Sequence, residues 1–146
     1  MGALYLLDTN ILIAVLEGQA PVRRHLEDTP LASLRLSVIV LGELQFGAEE
    51  SAYTERNRAR LAELVQRLPL AGLDEETARQ YARIRAHLER EGTPIGANDL
   101  WIAAQALSLG ATLVTDNQRE FQRVPDLVVE NWSVAIRRPP AGTAES

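Results

Sequence analysis

The chain has 146 residues, a net charge of −5 and 46% hydrophobic content, enough apolar material for one domain with a real core. It holds no cysteine, which excludes disulfides, thiolate metal sites and a cysteine nucleophile. It also holds no lysine, since all 15 basic residues are arginine, and this excludes Schiff-base chemistry, a P-loop lysine and the lysine that phospho-receiver domains keep beside their acidic pocket.

The apolar runs are too short to span a bilayer, and no basic-then-apolar leader precedes a cleavage site, so a cytoplasmic protein is expected. The negative charge gives nucleic acid no general attraction. Any such contact needs a local arginine patch or a bound cation.

Leu4-Tyr5-Leu6-Leu7 is a continuous apolar run that ends abruptly in Asp8-Thr9-Asn10. Such a run reads as a buried strand of a parallel sheet, and sites in open α/β sheets lie beyond the carboxyl ends of these strands. Thr9 or Asn10 is expected to cap a helix that starts with Ile11 to Leu16. From this stretch alone, Asp8 reads better as a cap than as a reactive group.

Gly18 to Pro21 breaks the pattern, and Pro21 starts a helix over Val22 to Asp28, in which His25 reads as a solvated side chain. Leu34 to Val38 alternates as a short strand, with Ser37 as the cap of the next helix. On that helix Leu41, Leu44 and Ala48 share a face, and Glu43 borders it. A rim position of this kind suits a solvent-facing glutamate as well as a functional one.

A long helix is expected over Thr54 to Leu68, then a brief strand within Leu70 to Leu73. Asp74 caps a helix over Glu75 to Arg90, whose inner edge reads as Ala78, Tyr81, Ala82, Arg85 and Leu88. Paired, the two helices would make an arm that contacts another chain. His87 reads as a surface residue, and two isolated histidines make no zinc site.

After the loop Gly92 to Gly96, Ala97-Asn98-Asp99 opens a helix that is apolar almost all round and therefore buried. Asp99 sits in its first turn, where the helix dipole favours a negative charge; shielded from water, it needs a partner. Gly110 ends the helix, and Ala111 to Asn117 repeats the opening device, an apolar strand ending in Asp116-Asn117. A turn at Arg119-Glu120-Phe121 and a last strand at Leu127 to Val129 follow. One domain is expected over residues 1–134, with a disordered tail over 135–146.

Asp8, Glu43, Asp99 and Asp116 each stand at a strand end or beside an apolar helix face. Parallel strands would bring Asp8 and Asp116 out at one edge of the sheet. Clustered carboxylates repel unless a cation neutralises them, and an all-oxygen site without His or Cys suits Mg²⁺ or Mn²⁺. One or two such ions can activate water and stabilise the leaving oxygen in phosphodiester cleavage.

Leu7-Asp8-Thr9-Asn10-Ile11-Leu12, Ser37 to Leu44 with Gly47-Ala48, Thr93 to Asp99 with Ile102-Ala103-Ala104, and Leu113 to Asn117 with Arg119-Glu120-Phe121 together resemble PIN-domain ribonucleases. Within that family the segments are most similar to the VapC toxins of bacterial toxin–antitoxin pairs. The match runs in order up to Trp132.

The resemblance implies an α/β fold, a three-layer α/β/α PIN-like domain with a short, mainly parallel central sheet. It implies a Mg²⁺- or Mn²⁺-dependent endoribonuclease with Asp8 and Asp99 as direct metal ligands. Glu43 and Asp116 would complete the acidic pocket as ligands or by orienting water, and Asn10 and Asn117 would support it through hydrogen bonds. Glu120 rivals Asp116 for the fourth acidic role, and Val40 stands where many relatives have a hydroxyl residue.

The resemblance also implies a homodimer and a cognate VapB-type antitoxin that blocks the site, often with a basic side chain. Some relatives cleave the anticodon region of initiator tRNA, and Thr93 to Trp132 resembles that group.

Other readings stand beside this one. A PIN-like module could bind RNA or a peptide without cutting, although all four acids are present. A DNA-directed nuclease of the same superfamily would share the phosphodiester chemistry. A phosphatase or receiver domain is disfavoured by the missing lysine and by Asp8-Thr9-Asn10 in place of an Asp-x-Asp loop.

Overall fold

The computed structural model describes residues 2–133, so the tail expected over 135–146 lies outside the described residues. Five short strands form its centre: β1 (Tyr5–Leu7), β2 (Leu34–Ser37), β3 (Leu70–Ala71), β4 (Thr112–Val114) and β5 (Val129–Glu130). They pair in the order β3-β2-β1-β4-β5, and every pairing is parallel.

Leu6 and Leu7 point to opposite faces of β1 and both are fully buried, as are Leu113 and Val114 on β4. Both faces of the sheet are therefore covered, which makes the domain three-layered. This is why the strands read as unbroken apolar runs rather than alternating ones.

The helices are α1 (Thr9–Leu16), α2 (Ala20–Glu27), α3 (Val38–Glu50), α4 (Thr54–Arg67), α5 (Glu75–Arg90), α6 (Ala97–Leu109) and α7 (Gln118–Phe121). β1 leads to β2 and β2 to β3 in one direction across the sheet, while β3 leads to β4 in the other. Right-handed crossovers then put α1 to α4 on one face and α5 and α6 on the other.

Most helix starts follow the local chemistry. The Ser37 hydroxyl accepts from Ile39 N at 3.1 Å and Val40 N at 3.5 Å, so α3 begins within the β-branched run. The Asp74 carboxylate accepts from Thr77 N at 2.9 Å and fixes the start of α5. At α1 the cap is Asp8, as its position after the strand suggested, accepting from Thr9 N at 2.8 Å; Thr9 and Asn10, the other expected caps, are already helical.

Three further expectations are corrected. The inner face of α5 is Thr77, Ile84 and Leu88, whereas Ala78, Ala82 and Arg85 are exposed. The Ala78–Ala82–Arg85 stripe is turned away from the core, because alanines and arginine stems do not mark a buried face. α4 and α5 do not pair as an arm either: α4 packs on α3 and α5 packs on α6, where Tyr81 and Trp101 stack at 3.9 Å. His25 is half-buried and stacks on Trp132 at 5.2 Å instead of facing solvent.

Gln105, buried on α6, donates to Ala71 O at 2.7 Å and Gly72 O at 2.8 Å, tying the helix to the end of β3. Gly110 ends α6 with φ 66°, the left-handed conformation that turns the chain into β4. A Cβ at Gly110 would meet nothing within 4 Å, so an added side chain strains only the backbone. Gly110→Ala should destabilise the domain by about 1 kcal/mol, read as a lower urea midpoint with an unchanged slope.

Candidate active site

β1 and β4 are neighbours with Leu7 opposite Val114, so Asp8 and Thr115 leave the sheet side by side. The Thr115 hydroxyl donates to Asp8 Oδ2 at 2.7 Å, and the Asp8 carboxyl is 6% exposed. Across the edge, the Thr9 hydroxyl donates to Glu43 Oε1 at 2.7 Å, bringing the α3 glutamate to the start of α1. Val40, which stands where many relatives have a hydroxyl residue, is wholly buried in the core, and the hydroxyl that reaches Glu43 is that of Thr9.

Asp99, in the first turn of α6, lies beside Glu120 of α7. Glu120 in turn accepts from Asn117 Nδ2 at 2.7 Å and from Gly96 N at 3.4 Å. Asn117 N is itself held by the Thr115 hydroxyl at 3.0 Å. Asp116 is exposed on the rim, reached by Asn10 Nδ2 at 3.4 Å.

The predicted acids thus gather at one sheet edge, with Glu120 joined to Asp99 inside the pocket and Asp116 at its border. Among the described residues, no three acidic or histidine side chains close on a single point to surround an ion. Thr9 and Thr115 were missed as functional side chains. Thr115 directly follows β4 and Thr9 follows Asp8 at the start of α1, so both lie at the edge where Asp8 emerges, and that placement is the signal.

The electrostatics follow from burial and crowding. Burial pushes the Asp8 carboxyl above its usual range, although hydrogen bonds from Thr115 and Thr9 N pull it down; Glu43 and Asp116 add repulsion. Burial also raises Asp99, to about 7, reinforced by the hydrogen bond with Glu120 and by the charges of Glu120, Asp8 and Glu43. Glu120 is desolvated too, but hydrogen bonds from Asp99, Asn117 and Gly96 and the charge of Arg123 outweigh this and lower it. Asp99 and Glu120 therefore titrate as a pair, Asp99 pushed up and Glu120 pushed down.

The PIN domain family model matches residues 5–127. The chain belongs to the PIN-domain family. Within it, the chain is 41% identical over 133 residues to Ribonuclease VapC2 of Haemophilus influenzae, covering 88% of this chain and 97% of that protein. It is 38% identical over 128 residues to the tRNA(fMet)-specific endonuclease VapC of Salmonella typhimurium, covering 88% and 97%.

Among solved structures, VapBC2 from Rickettsia felis, bound to a DNA fragment from its promoter, superposes with a TM-score of 0.82 at 38% identity. That match covers 88% of this chain and 98% of the other. DNA-bound VapBC from Salmonella typhimurium gives 0.85 at 36% identity, covering 90% and 99%. The acidic edge of this PIN domain is thus built on the same framework as in VapC proteins.

The raised Asp99 sets a sign for pH dependence. Its folded form keeps a proton that the unfolded chain releases, so between about pH 4 and pH 7 unfolding releases a proton and stability falls as pH rises. Asp8 acts in the same direction, while the lowered Glu120 acts oppositely and below its ordinary range. In EDTA, the wild-type urea midpoint should therefore drop from pH 5 to pH 7.5, and Asp99→Asn should flatten that drop.

Proposed function

We infer that this chain is the toxin of a type II toxin–antitoxin pair, an endoribonuclease that hydrolyses RNA phosphodiester bonds with a divalent cation held in the acidic pocket. One observation carries the reading: Asp8, Glu43, Asp99 and Glu120 gather at the carboxyl edge of a PIN-domain sheet, where burial and mutual repulsion push Asp8 and Asp99 above the ordinary carboxylate range. Support for the substrate class and for a VapB-type antitoxin comes from relatives described as VapC ribonucleases and as VapBC complexes. A homodimer in the cytoplasm belongs to the same reading.

The donor set fits a hard cation. Every candidate ligand is a carboxylate oxygen, and His25 is committed to Trp132. Because no three acids close on one point among the described residues, an ion would take one or two carboxylates and keep water on its remaining positions, which is the habit of Mg²⁺ and also suits Mn²⁺. When bound, such an ion supplies Lewis-acid activation of water and neutralises charge on the phosphate.

The protein's own groups do the positioning. Thr115 and Thr9 N hold the two Asp8 oxygens in fixed directions, which leaves the carboxylate little freedom to turn from the pocket. Asp99 would hold such a cation as the carboxylate, beside Glu120, which Asn117 and Gly96 keep in place. The Thr9 hydroxyl ties Glu43 to the start of α1, next to Asp8. We assign Asp8 and Asp99 as the cation's ligands and Glu43 and Glu120 as the orienting acids, and leave Asp116 at the rim.

The test is digestion of total RNA by purified, antitoxin-free protein in Mg²⁺, Mn²⁺ or EDTA, with the cut ends mapped. Discrete cuts that need metal are expected. Asp8→Asn and Asp99→Asn should each lose more than about 100-fold in rate while staying folded, and Glu120→Gln should lose more than Asp116→Asn. A folded Asp99→Asn protein that cuts like wild type would overturn the ligand assignment. Wild-type protein that cuts nothing in any metal would overturn the nuclease reading.

A further inference from the structure

The acidic pocket has a cationic neighbour that the carboxylate chemistry does not use. α7 and the turn after it carry Arg119 and Arg123, both exposed. The turn continues the helical path, with Arg123 N donating to Glu120 O at 3.2 Å and Val124 N to Phe121 O at 3.1 Å. Residues four apart on such a path share one side, so the two arginines leave the turn together, while Phe121 is buried in the core. Glu120, between them in sequence, sits beside Asp99, and Arg123 lies near enough for its charge to act on that glutamate.

Elsewhere on the surface, arginine is matched by glutamate. Arg58 pairs with Glu49 and Glu55, Arg79 with Glu75 and Glu76, and Arg85 with Glu89. Among the described residues, Arg119 and Arg123 enter no ion pair of this kind. Arg123 gives one N–H to Pro94 O at 3.4 Å, which leaves the rest of its fork open. Like charges four residues apart on a helical path weaken it slightly, so the fold gains nothing from placing them there.

We propose that Arg119 and Arg123 hold the backbone phosphates of single-stranded RNA next to the phosphate that enters the acidic pocket. The proposal rests on the ribonuclease reading and names how that site holds its substrate. A chain of net charge −5, with carboxylates crowded at one edge, repels a polyanion. A cation in the pocket offsets this at the scissile phosphate only, so the flanking phosphates need positive charge from the protein. With no lysine in the chain, arginine must supply it, and its planar fork matches two phosphate oxygens at once. α7 is where such charge stands beside the pocket without a carboxylate partner of its own. One strand can reach both places, its cut phosphate at the acids and its next phosphates at α7.

The test uses the full chain with Arg119→Gln, Arg123→Gln, the double variant, Arg119→Lys and Arg67→Gln. Arg67 is an exposed arginine in the last turn of α4, just before β3 begins. Because β3 runs parallel to its neighbour, Arg67 lies at the amino edge of the sheet, away from the pocket. Binding of a labelled single-stranded RNA is followed by fluorescence anisotropy over a series of KCl concentrations. The background is Asp99→Asn in EDTA, so that the probe stays whole and K⁺ alone sets the screening. Cleavage is followed on the RNA whose cut sites have been mapped, with Asp99 intact.

Arg119→Gln and Arg123→Gln should each raise Kd and KM about fivefold at low salt, with kcat little changed. Each should also flatten the slope of log Kd against log[KCl] by about 0.7, and the double variant by about 1.4. Arg67→Gln should leave the slope as it is. Arg119→Lys should keep the slope, because the charge is kept, and lose part of the affinity, because the fork is lost.

Unchanged Kd and slope in the double variant would overturn the proposal, as would an Asp99→Asn parent that binds no RNA. A raised Kd with an unchanged slope would overturn it too, since Arg123 then only braces the loop through Pro94. An equal loss of slope in Arg67→Gln would replace it with a general field of the whole chain. A loss confined to antitoxin affinity would reassign the pair to a protein partner. If the slope falls as expected but wild-type protein cuts no RNA in any metal, the nuclease reading fails by itself and the phosphate contacts stand.

Discussion

Asp8 is taken out of water at the point where the two central strands stop, with other carboxylates facing it across the same edge. A buried carboxylate is costly unless hydrogen bonds satisfy it. Here the Thr115 hydroxyl and Thr9 N meet separate oxygens, and both donors come from the chain immediately after β1 and β4. The parallel pairing of those strands therefore creates the burial and also supplies its compensation. Thr115 further steers Asn117, which holds Glu120, so one hydroxyl links Asp8 to the partner of Asp99.

The domain accommodates this crowding because its helices begin where its strands end. Asp8 caps α1, Ser37 caps α3, and Asp99 lies in the first turn of α6. The positive ends of these helices face the acidic edge and offset part of the repulsion. The offset is incomplete: burial and the neighbouring carboxylates still push Asp99 well above its ordinary range. A cation entering the pocket would favour the carboxylate form, which couples metal binding to pH.

The charged surface elsewhere contributes little to the fold. The ion pairs of Arg58 with Glu49 and Glu55, and those along α5, lie between exposed side chains, where screening and side-chain entropy cancel most of the attraction. Stability rests instead on a core continuous across both faces of the sheet, from Leu12 and Ile11 through Leu6, Leu7 and Leu113 to Ile102 and Phe121. Because that core is so uniformly apolar, the polar edge can carry unfavourable electrostatics without loosening the rest.

The sequence by itself determined the elements and most of the acids. Unbroken apolar runs ending in Asp8 and Asp116, the caps Ser37 and Asp74, and the apolar helix behind Asp99 are local patterns, set by backbone chemistry within a few residues. It also carried the family likeness, since those segments occur together in order.

Only the tertiary structure decided which acids meet. Asp116 stands one residue beyond Thr115, the register partner of Asp8, and lies at the rim, while Glu120 on the short helix α7 turns inward to Asp99. The same holds for the Thr115 and Thr9 hydroxyls, for the inward stripe of α5, and for His25 against Trp132. Each of these depends on how elements distant in sequence pack together. Spacing along one helix or strand specifies a face, but the neighbour that covers that face comes from elsewhere in the chain.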